Sequence, residues 1–544
     1  MNFRGILIGF WRKNYSNDYH QSDDKSMLIV NVVNRLNIIH PVTRRITYID
    51  VLVGIYLLWS VLNMLFIARL PFGNILLWKW SIVLGIYLVV RNIPWKDPIL
   101  WILVLVGTAQ SLCAIGQHAG YIASNHRWFD VTGFMGNPGQ LGGFQAVTFV
   151  AVFVLLKKNV HSRIAGCVLF SLLLLIGYSM WLADSRAGGV AVLAGLIALY
   201  WLEIRPFLTR HKRLLWPIFV VVIGLGILVF NYRADSAKAR LLIWRVSANM
   251  IADKPVTGHG VGAFNRQYML YQADYFEQNP DSQFRMVADN TAYPYNEFLH
   301  IWIELGLIGL LLVLGIVYMA VIIPPDKTMS APLVAWLVFS CFSYPSYKLE
   351  LLALSPILLG LVGGKAMFQI KRKFGVFASI LIAAIVLSVG IHGYILRNRV
   401  NHKALLLIKS YDQQDANYVS MHVRQLYPDF RFNTLYLYNV LKYPKIAIES
   451  AFDGIMPTSE NWCDIGDYYF KNGVYDCAEN YYRTAAWMVP TRITPNYLLW
   501  KMYMQQNRVE DAQVIENYLL VLPLKVENTV TIRIKNEVRE AMRE

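Results

Sequence analysis

Apolar residues in this chain gather in long, nearly unbroken runs, near 49–68, 72–90, 98–116, 141–156, 164–182, 188–204, 214–231, 305–323, 331–345, 351–368 and 375–395. As a helix, roughly 20 such residues cross the hydrocarbon layer of a bilayer, and a spanning segment has to satisfy its backbone internally. The pattern therefore predicts an all-α, polytopic membrane helical bundle of about 11 spans, or 12 if one short run is split. The run at 141–156 is short, and Lys79 interrupts the second.

Three stretches depart from this pattern. Residues 1–48 are polar and basic (Arg4, Arg12, Lys13, Lys25, Arg35, Arg44, Arg45) and lack the apolar core of a cleavable signal, so they read as a cytoplasmic head. Within the membrane body, 49–395, residues 231–299 form one long polar loop. The tail, 396–544, loses the apolar runs, and Pro457, Pro490 and Pro523 recur at a constant interval, as helical-hairpin repeats do. One repeat is well formed. Trp462, Ile465, Gly466, Tyr469, Gly473, Tyr475, Ala478, Tyr482, Ala485 and Pro490 resemble the tetratricopeptide (TPR) pattern, in which Gly466 and Ala478 would let two helices approach closely. A TPR-like helical repeat domain of this kind serves either as a stabilising module or as a docking surface.

Composition agrees with the membrane reading, since 56% of the 544 residues are hydrophobic and 16% charged. The formal charge of +16 suggests a nucleic-acid partner until its distribution is considered. Beyond the head, cations cluster in alternate short loops: Arg91 and Lys96; Lys157, Lys158 and Arg163; Arg205, Arg210, Lys212 and Arg213; Lys365, Lys371, Arg372 and Lys373. Cytoplasmic loops carry such excess, so the N-terminus is expected inside, with the long loop, the Asp184 turn and the tail outside. Basicity here sets orientation, and no nucleic-acid partner is expected. Cys113, Cys167 and Cys341 fall in spans as apolar fillers, while Cys463 and Cys477 lie in the tail, where pairing is left open. Neither a metal-ligand spacing nor a nucleotide-binding loop is present, so no metal or cofactor is expected.

Four places carry candidate chemistry. Arg186, in the Asp184-Ser185-Arg186 turn before Gly188 and Gly189, stands where a guanidinium and a helix N-terminus suit a phosphate at headgroup depth. It could equally snorkel to lipid headgroups or pair with Asp184. Arg240 and Trp244, four apart, would share a face of an amphipathic surface helix that also carries Arg245, either clamping a ligand or anchoring the chain. In PVTGHGVGAF, Gly258, Gly260 and Gly262 flank His259 and mark a turn where backbone closely approaches something; no strand precedes it, so it is not a dinucleotide fingerprint. Asn296, His300 and Glu304 fall at i, i+4 and i+8 on a helix entering the membrane, with His300 a candidate base.

Taken in order, these pieces resemble the O-antigen ligase superfamily of O-antigen ligases, bacterial O-oligosaccharyltransferases and repeat-unit polymerases. The matching pieces are the D-S-R-A-G turn from Asp184 to Gly188, R-x3-W from Arg240 to Trp244, the glycine turn from Pro255 to Phe264, and N-E-x-L-x4-E-x-G-x2-G from Asn296 to Gly309. The resemblance implies transfer of a glycan from undecaprenyl pyrophosphate to an acceptor hydroxyl on the periplasmic face of the bacterial inner membrane, with inversion and without metal. The acceptor would be lipid A core or a periplasmic protein, and membrane lipids would surround the enzyme. Arg186 and Arg240 would hold the pyrophosphate, His300 would act as base, and Arg245, Trp244, Tyr295, Asn296, Glu304 and His259 would contact substrate. The family commonly has His-Asn where this chain has Tyr295-Asn296, which leaves the base open among His300, His259 and no base at all. A repeat-unit polymerase and a lipid-linked glycan flippase are the rival expectations.

Overall fold

The computed structural model describes residues 43–232, 234–324, 326–410, 412–426, 436–439, 441 and 455–542. Most of the basic head therefore lies outside the described residues. Each apolar run is helical: α1 (Tyr48–Leu62, continued by a π-turn at Asn63–Ile67), α2 (Ile75–Asn92), α3 (Asp97–His118), α4 (Pro138–Lys158) and α5 (Arg163–Leu182). Next come α6 (Arg186–Leu199), α7 (Trp201–Arg210) and α8 (Leu215–Tyr232), and beyond the polar loop's α9 (Ala234–Asp253) and α10 (Ala263–Gln278) lie α11 (Glu297–Val317), α12 (Lys327–Ser340), α13 (Leu354–Val362) and α14 (Arg372–Lys409). Among the described residues, seven helices are long and apolar enough to cross a membrane, or eight if α6 and α7, bent by 80°, count as one span. Part of the difference from about 11 arises because the apolar runs around α12 and α13 continue through turns, leaving helices too short to pass alone.

The protein is a multi-pass membrane bundle whose helices run back and forth between two ends. At the basic end, Lys158 pairs with Asp97 and Lys157 with Glu203, each at 2.6 Å, and Arg91 reaches Asp50 at 3.2 Å. There β1 (Thr43–Thr47) pairs antiparallel with β2 (Ala366–Lys371), joining the start of α1 to the start of α14. α4 is the central helix, with 78% of its span buried against 17% for α5 at the edge. Small residues allow this closeness: a side chain on Gly143 would strike Phe339, and one on Gly107 would strike Thr148. The amide of Gln145, buried in α4, is paired, since its Nε2 donates to Gly107 O (3.0 Å) and Ser111 Oγ (2.9 Å) and its Oε1 accepts from Thr148 Oγ1 (3.0 Å).

α14 continues unbroken through residues 395 and 396, so one helix carries the chain from the bundle into the tail. Beyond α15 (Gln413–Met421), the tail has successive helices α16 (Ser459–Lys471), α17 (Tyr475–Met488), α18 (Ile493–Gln505), α19 (Val509–Val521) and α20 (Thr529–Ala541). Gly466 faces Tyr482 so closely that a Cβ would lie 2.5 Å from its ring, and Ala478 is fully buried. All five cysteines are free thiols, with Cys463 buried and Cys477 exposed.

The tail does not hang free. α17 packs on α10, where Met488 and Val489 enter an apolar core with Phe264, Tyr268 and Phe276. Gln272 Nε2 donates to Met488 O at 2.6 Å, and Asp289 is held by Arg492 (2.9 Å) and Lys525 (3.1 Å).

Candidate functional site

The glycine turn is where the polar loop is fastened to the bundle. α11 breaks at Gly306, whose φ of 68° and ψ of −171° lie outside helical space. The exposed backbone is satisfied by the loop: His259 N donates to Ile303 O (2.8 Å), Gly260 N to Glu304 O (3.0 Å) and Leu307 N to Pro255 O (2.9 Å). Asn63, on the π-turn, donates to Thr257 O (3.0 Å) and accepts from Val261 N (2.9 Å). Gly258 has a φ of +73°, and a Cβ there would lie 2.4 Å from the Glu304 carbonyl oxygen. The close approach expected at this turn is thus to protein backbone.

With the loop fixed, α9 presents Arg240 and Trp244. Its apolar face, Leu242, Ile243, Val246 and Met250, is buried against α10, so a helix that patterns as membrane-surface instead covers a protein core. Trp244 Nε1 donates to Pro294 O at 3.0 Å, which positions the segment carrying Tyr295. The Arg240 guanidinium then lies 5.4 Å from the centroid of the Tyr295 ring. Tyr295 holds a left-handed φ of 53° and Asp184 one of 45°, and both line one cavity. Bulky residues rarely adopt such backbone, and where they do the strain often marks a working site.

That cavity has a volume of about 590 Å³ and opens at the loop end of the bundle. Arg186, Arg240, Tyr295, Tyr344, Asp184 and Gln140 stand on its wall. Two helices begin there. Asn137 caps α4 by accepting from Gly139 N (2.9 Å), and Ser185 caps α6 by accepting from Gly188 N (3.2 Å). Gly142 and Gly188 let these N-termini touch, since a Cβ on Gly188 would lie 2.6 Å from Gly142 O. Burial pushes the Arg240 pKa down, and the nearby Arg186 charge adds to the shift while Tyr295 and Tyr344 oppose it. Two guanidiniums that repel each other beside two positive helix ends describe a site for a multiply charged anion.

The other expected residues lie elsewhere. His300 is on the wall of a second, mostly apolar cavity of about 300 Å³, together with Glu297 and Glu304. Its Nδ1 lies 3.4 Å from Glu297 and its Nε2 lies 3.2 Å from both Glu304 and the Tyr347 hydroxyl. Stacked Tyr293 and Tyr344 (4.1 Å), with Tyr347 edge-on to Tyr293 (4.6 Å), separate it from Tyr295. Glu304 also accepts from Phe264 N (3.3 Å), and the Asn296 side chain caps α11 by accepting from Leu299 N (3.0 Å). His259 is buried, 2.6 Å from Met250 O, and burial lowers its pKa. Arg245 is exposed on the far side of α9.

His118, Asp130 and Gln140 also line the large cavity. They precede the matched motifs, and the signal that could have pointed to them was the Asn137-Pro138-Gly139 helix start, which places the first turn of α4 at the loop end of the bundle.

Residues 169–314 match the O-antigen ligase family model. A Rickettsia felis protein with the provisional name polysaccharide ligase is 26% identical over 285 residues, which is 52% of this chain and 62% of the relative. Similarly named proteins of Rickettsia typhi and Rickettsia prowazekii are 30% identical over 176 residues and 28% identical over 180, each match covering 31% of this chain and 42% of the relative. The chain thus spans less than two thirds of the length of these relatives.

Proposed function

We propose that this chain, a member of the O-antigen ligase superfamily through residues 169–314, transfers a glycan from undecaprenyl pyrophosphate to an acceptor hydroxyl at the periplasmic face of the bacterial inner membrane. The observation that carries this reading is the convergence of Arg186, Arg240 and two helix N-termini on one cavity at the loop end. A pyrophosphate held there keeps its lipid in the bilayer and its sugar in the cavity. Orientation follows from charge, with the basic end inside and the loop and tail outside.

In this reading the acceptor oxygen attacks the anomeric carbon from the face opposite the phosphate and inverts it. The bond from that carbon to the pyrophosphate oxygen breaks, and its electron pair passes to that oxygen. Arg186 and Arg240 stabilise the charge as it forms, an electrostatic effect worth most at a preorganised, partly dry site. The acceptor proton goes to a titratable group on the wall, where His118, Asp130 and Asp184 stand. His300 acts as a positioning residue, tying Glu297, Glu304 and Tyr347 together behind the tyrosine stack. The TPR-like tail, docked on α10, is well placed to present lipid A core or a periplasmic protein as acceptor.

The test is transfer by purified protein in nanodiscs from undecaprenyl-pyrophosphate glycan to lipid A core, to a Ser/Thr-containing periplasmic protein, or with no acceptor. Transfer to an acceptor, lost in Arg240→Ala, supports the reading and names the branch. Chain extension without an acceptor would make the protein a polymerase. No turnover in any arm, with the protein folded, would overturn the proposal.

A further inference from the structure

Residues 119–137 join α3 to α4 at the loop end of the bundle without helix or strand. Connections of this length are usually either disordered or functional, and this one is fastened at both its base and its tip. At the base, two buried glutamines of α3 hold it. Gln117 Oε1 accepts from Thr132 N and Gly133 N, each at 2.8 Å, its Nε2 donates to Gly133 O at 3.1 Å, and Gln110 Oε1 accepts from Phe134 N at 2.9 Å. At the tip, Ser124 Oγ donates to Phe129 O, His126 Nδ1 accepts from Trp128 N at 3.1 Å, and the His126 ring lies 4.8 Å from that of Phe129.

This ordering does not hide the aromatic rings. Trp128 is 76% exposed, and it stands with Phe129 on the wall of the large cavity. Arg127 lies 5.2 Å from the centroid of the Trp128 ring and so covers at most one face. An exposed aromatic at the end of a span commonly anchors the chain at the membrane surface, and Tyr121 and Phe134, exposed on the same loop but off the cavity wall, fit that role. Trp128 differs because it shares a cavity with Arg186 and Arg240.

A cavity with two guanidiniums and a flat apolar ring suits a ligand that carries an apolar face near a phosphate. A pyranose linked to pyrophosphate is such a ligand. Its axial C–H bonds gather on one face, are polarised by the ring's oxygens, and meet the negative face of an aromatic ring, while its hydroxyls stay hydrated at the rim. The donor's lipid, by contrast, has to leave toward the hydrocarbon, and Trp128 stands on a loop rather than on a span.

Resting on the glycan-transfer reading above, we propose that Trp128 is a stacking platform for a pyranose ring of the donor glycan, preset by the Gln117 and Gln110 bonds. Such a platform holds the sugar equally in the ground and transition states. Its loss therefore raises the donor KM and spares kcat, unlike loss of an arginine that meets the developing charge.

The test uses the full chain in nanodiscs and two readouts. One is binding of the lipid-free oligosaccharide released from undecaprenyl-pyrophosphate glycan, followed by saturation-transfer NMR, and the other is donor KM and kcat in the transfer assay. Trp128→Leu keeps an apolar side chain for the bilayer but loses the flat face. It should weaken oligosaccharide binding and raise the donor KM by about 5-fold or more, with kcat within about 2-fold. Trp128→Phe should stay within about 3-fold of wild type, and Tyr121→Ala should match wild type in both readouts. Trp128→Leu equal to wild type, a matching loss in Tyr121→Ala, or a rise confined to the acceptor KM would overturn the platform. Wild type that binds the oligosaccharide, more tightly than Trp128→Leu does, yet transfers nothing would refute glycan transfer and leave the platform standing. Wild type that binds no oligosaccharide would overturn the platform, whatever it transfers.

Discussion

Replacing Arg240 by alanine removes one of the two guanidiniums from the anion site and leaves the helix beneath it unchanged. Arg240 is half-buried, stacked over Tyr295 at 5.4 Å, and its side chain stays protonated despite the lowered pKa. At an effective dielectric near 20, full charges about 4–5 Å apart attract by about 3–4 kcal/mol. Charge on the departing oxygen is partial in the ground state and grows in the transition state, so most of this interaction should appear in kcat. Loss of one such stabiliser typically costs about 10²–10³ in kcat, or about 2.7–4 kcal/mol, and we expect Arg240→Ala to fall in that range. Arg240→Lys keeps a charge but loses the two-pronged fork, so an intermediate loss of about 10-fold is expected. Arg245→Ala, on the exposed side of the same helix, should stay within about 2-fold, as surface changes usually do. The assay is single-turnover transfer from saturating lipid-linked glycan in nanodiscs, with melting temperature measured in parallel. If Arg240→Ala turned over within about 3-fold of wild type, the electrostatic argument would be refuted.

Other outcomes follow from the same geometry. Gly258→Ala must place a Cβ 2.4 Å from the Glu304 carbonyl oxygen at a φ of +73°, so a stability loss of about 3 kcal/mol or more is expected, whereas Gly189→Ala, with nothing within 4 Å, should melt like wild type. Where the loop meets the tail, Asp289→Asn breaks exposed pairs with Arg492 and Lys525 and should cost no more than about 1 kcal/mol per pair, but Met488→Ala empties a fully buried position and should cost about 2–5 kcal/mol; faster hydrogen exchange across α17 would report the loosening, and equal effects of the two variants would contradict the packing argument. His300→Ala leaves Glu297 and Glu304 without their shared partner and should lower stability by about 3 kcal/mol with activity per folded molecule within about 10-fold, while Asp130→Asn should lower kcat with little change in melting; a loss of 10³ in folded His300→Ala would restore His300 as the base. The pKa of His259 is lowered by burial from its ordinary 6.5, so the folded state resists a proton that the unfolded state accepts. Its contribution to stability is complete above 6.5 and is lost as pH falls from there through the folded value. Melting temperature followed downward from neutral pH should therefore decline less steeply in His259→Gln than in wild type.

What the sequence determined by itself was everything that depends on local composition and spacing. Runs of apolar residues must become helices in a bilayer, because no other local structure satisfies the backbone there, and each run is helical from α1 to α14. Arg186 could be placed at a helix start because Ser185 and the glycines after it are a cap and a close-approach signal that need no distant partner. The three glycines around His259 announced a turn whose backbone closely approaches something, although what it approaches was not written locally. That was decided by the break at Gly306, which comes from a span entering the membrane some 45 residues later.

Tertiary structure alone decided which polar groups share a space. Helical spacing put His300 and Glu304 on one face, and they do meet, but it cannot say which side of the bundle that face looks toward. The Tyr293, Tyr344 and Tyr347 cluster turned it to the second cavity. Arg186 and Arg240 lie on helices separated by α7 and α8, and only the packing of α4 against α6 at Gly142 and Gly188, with Trp244 bonded to Pro294, brings them to one cavity.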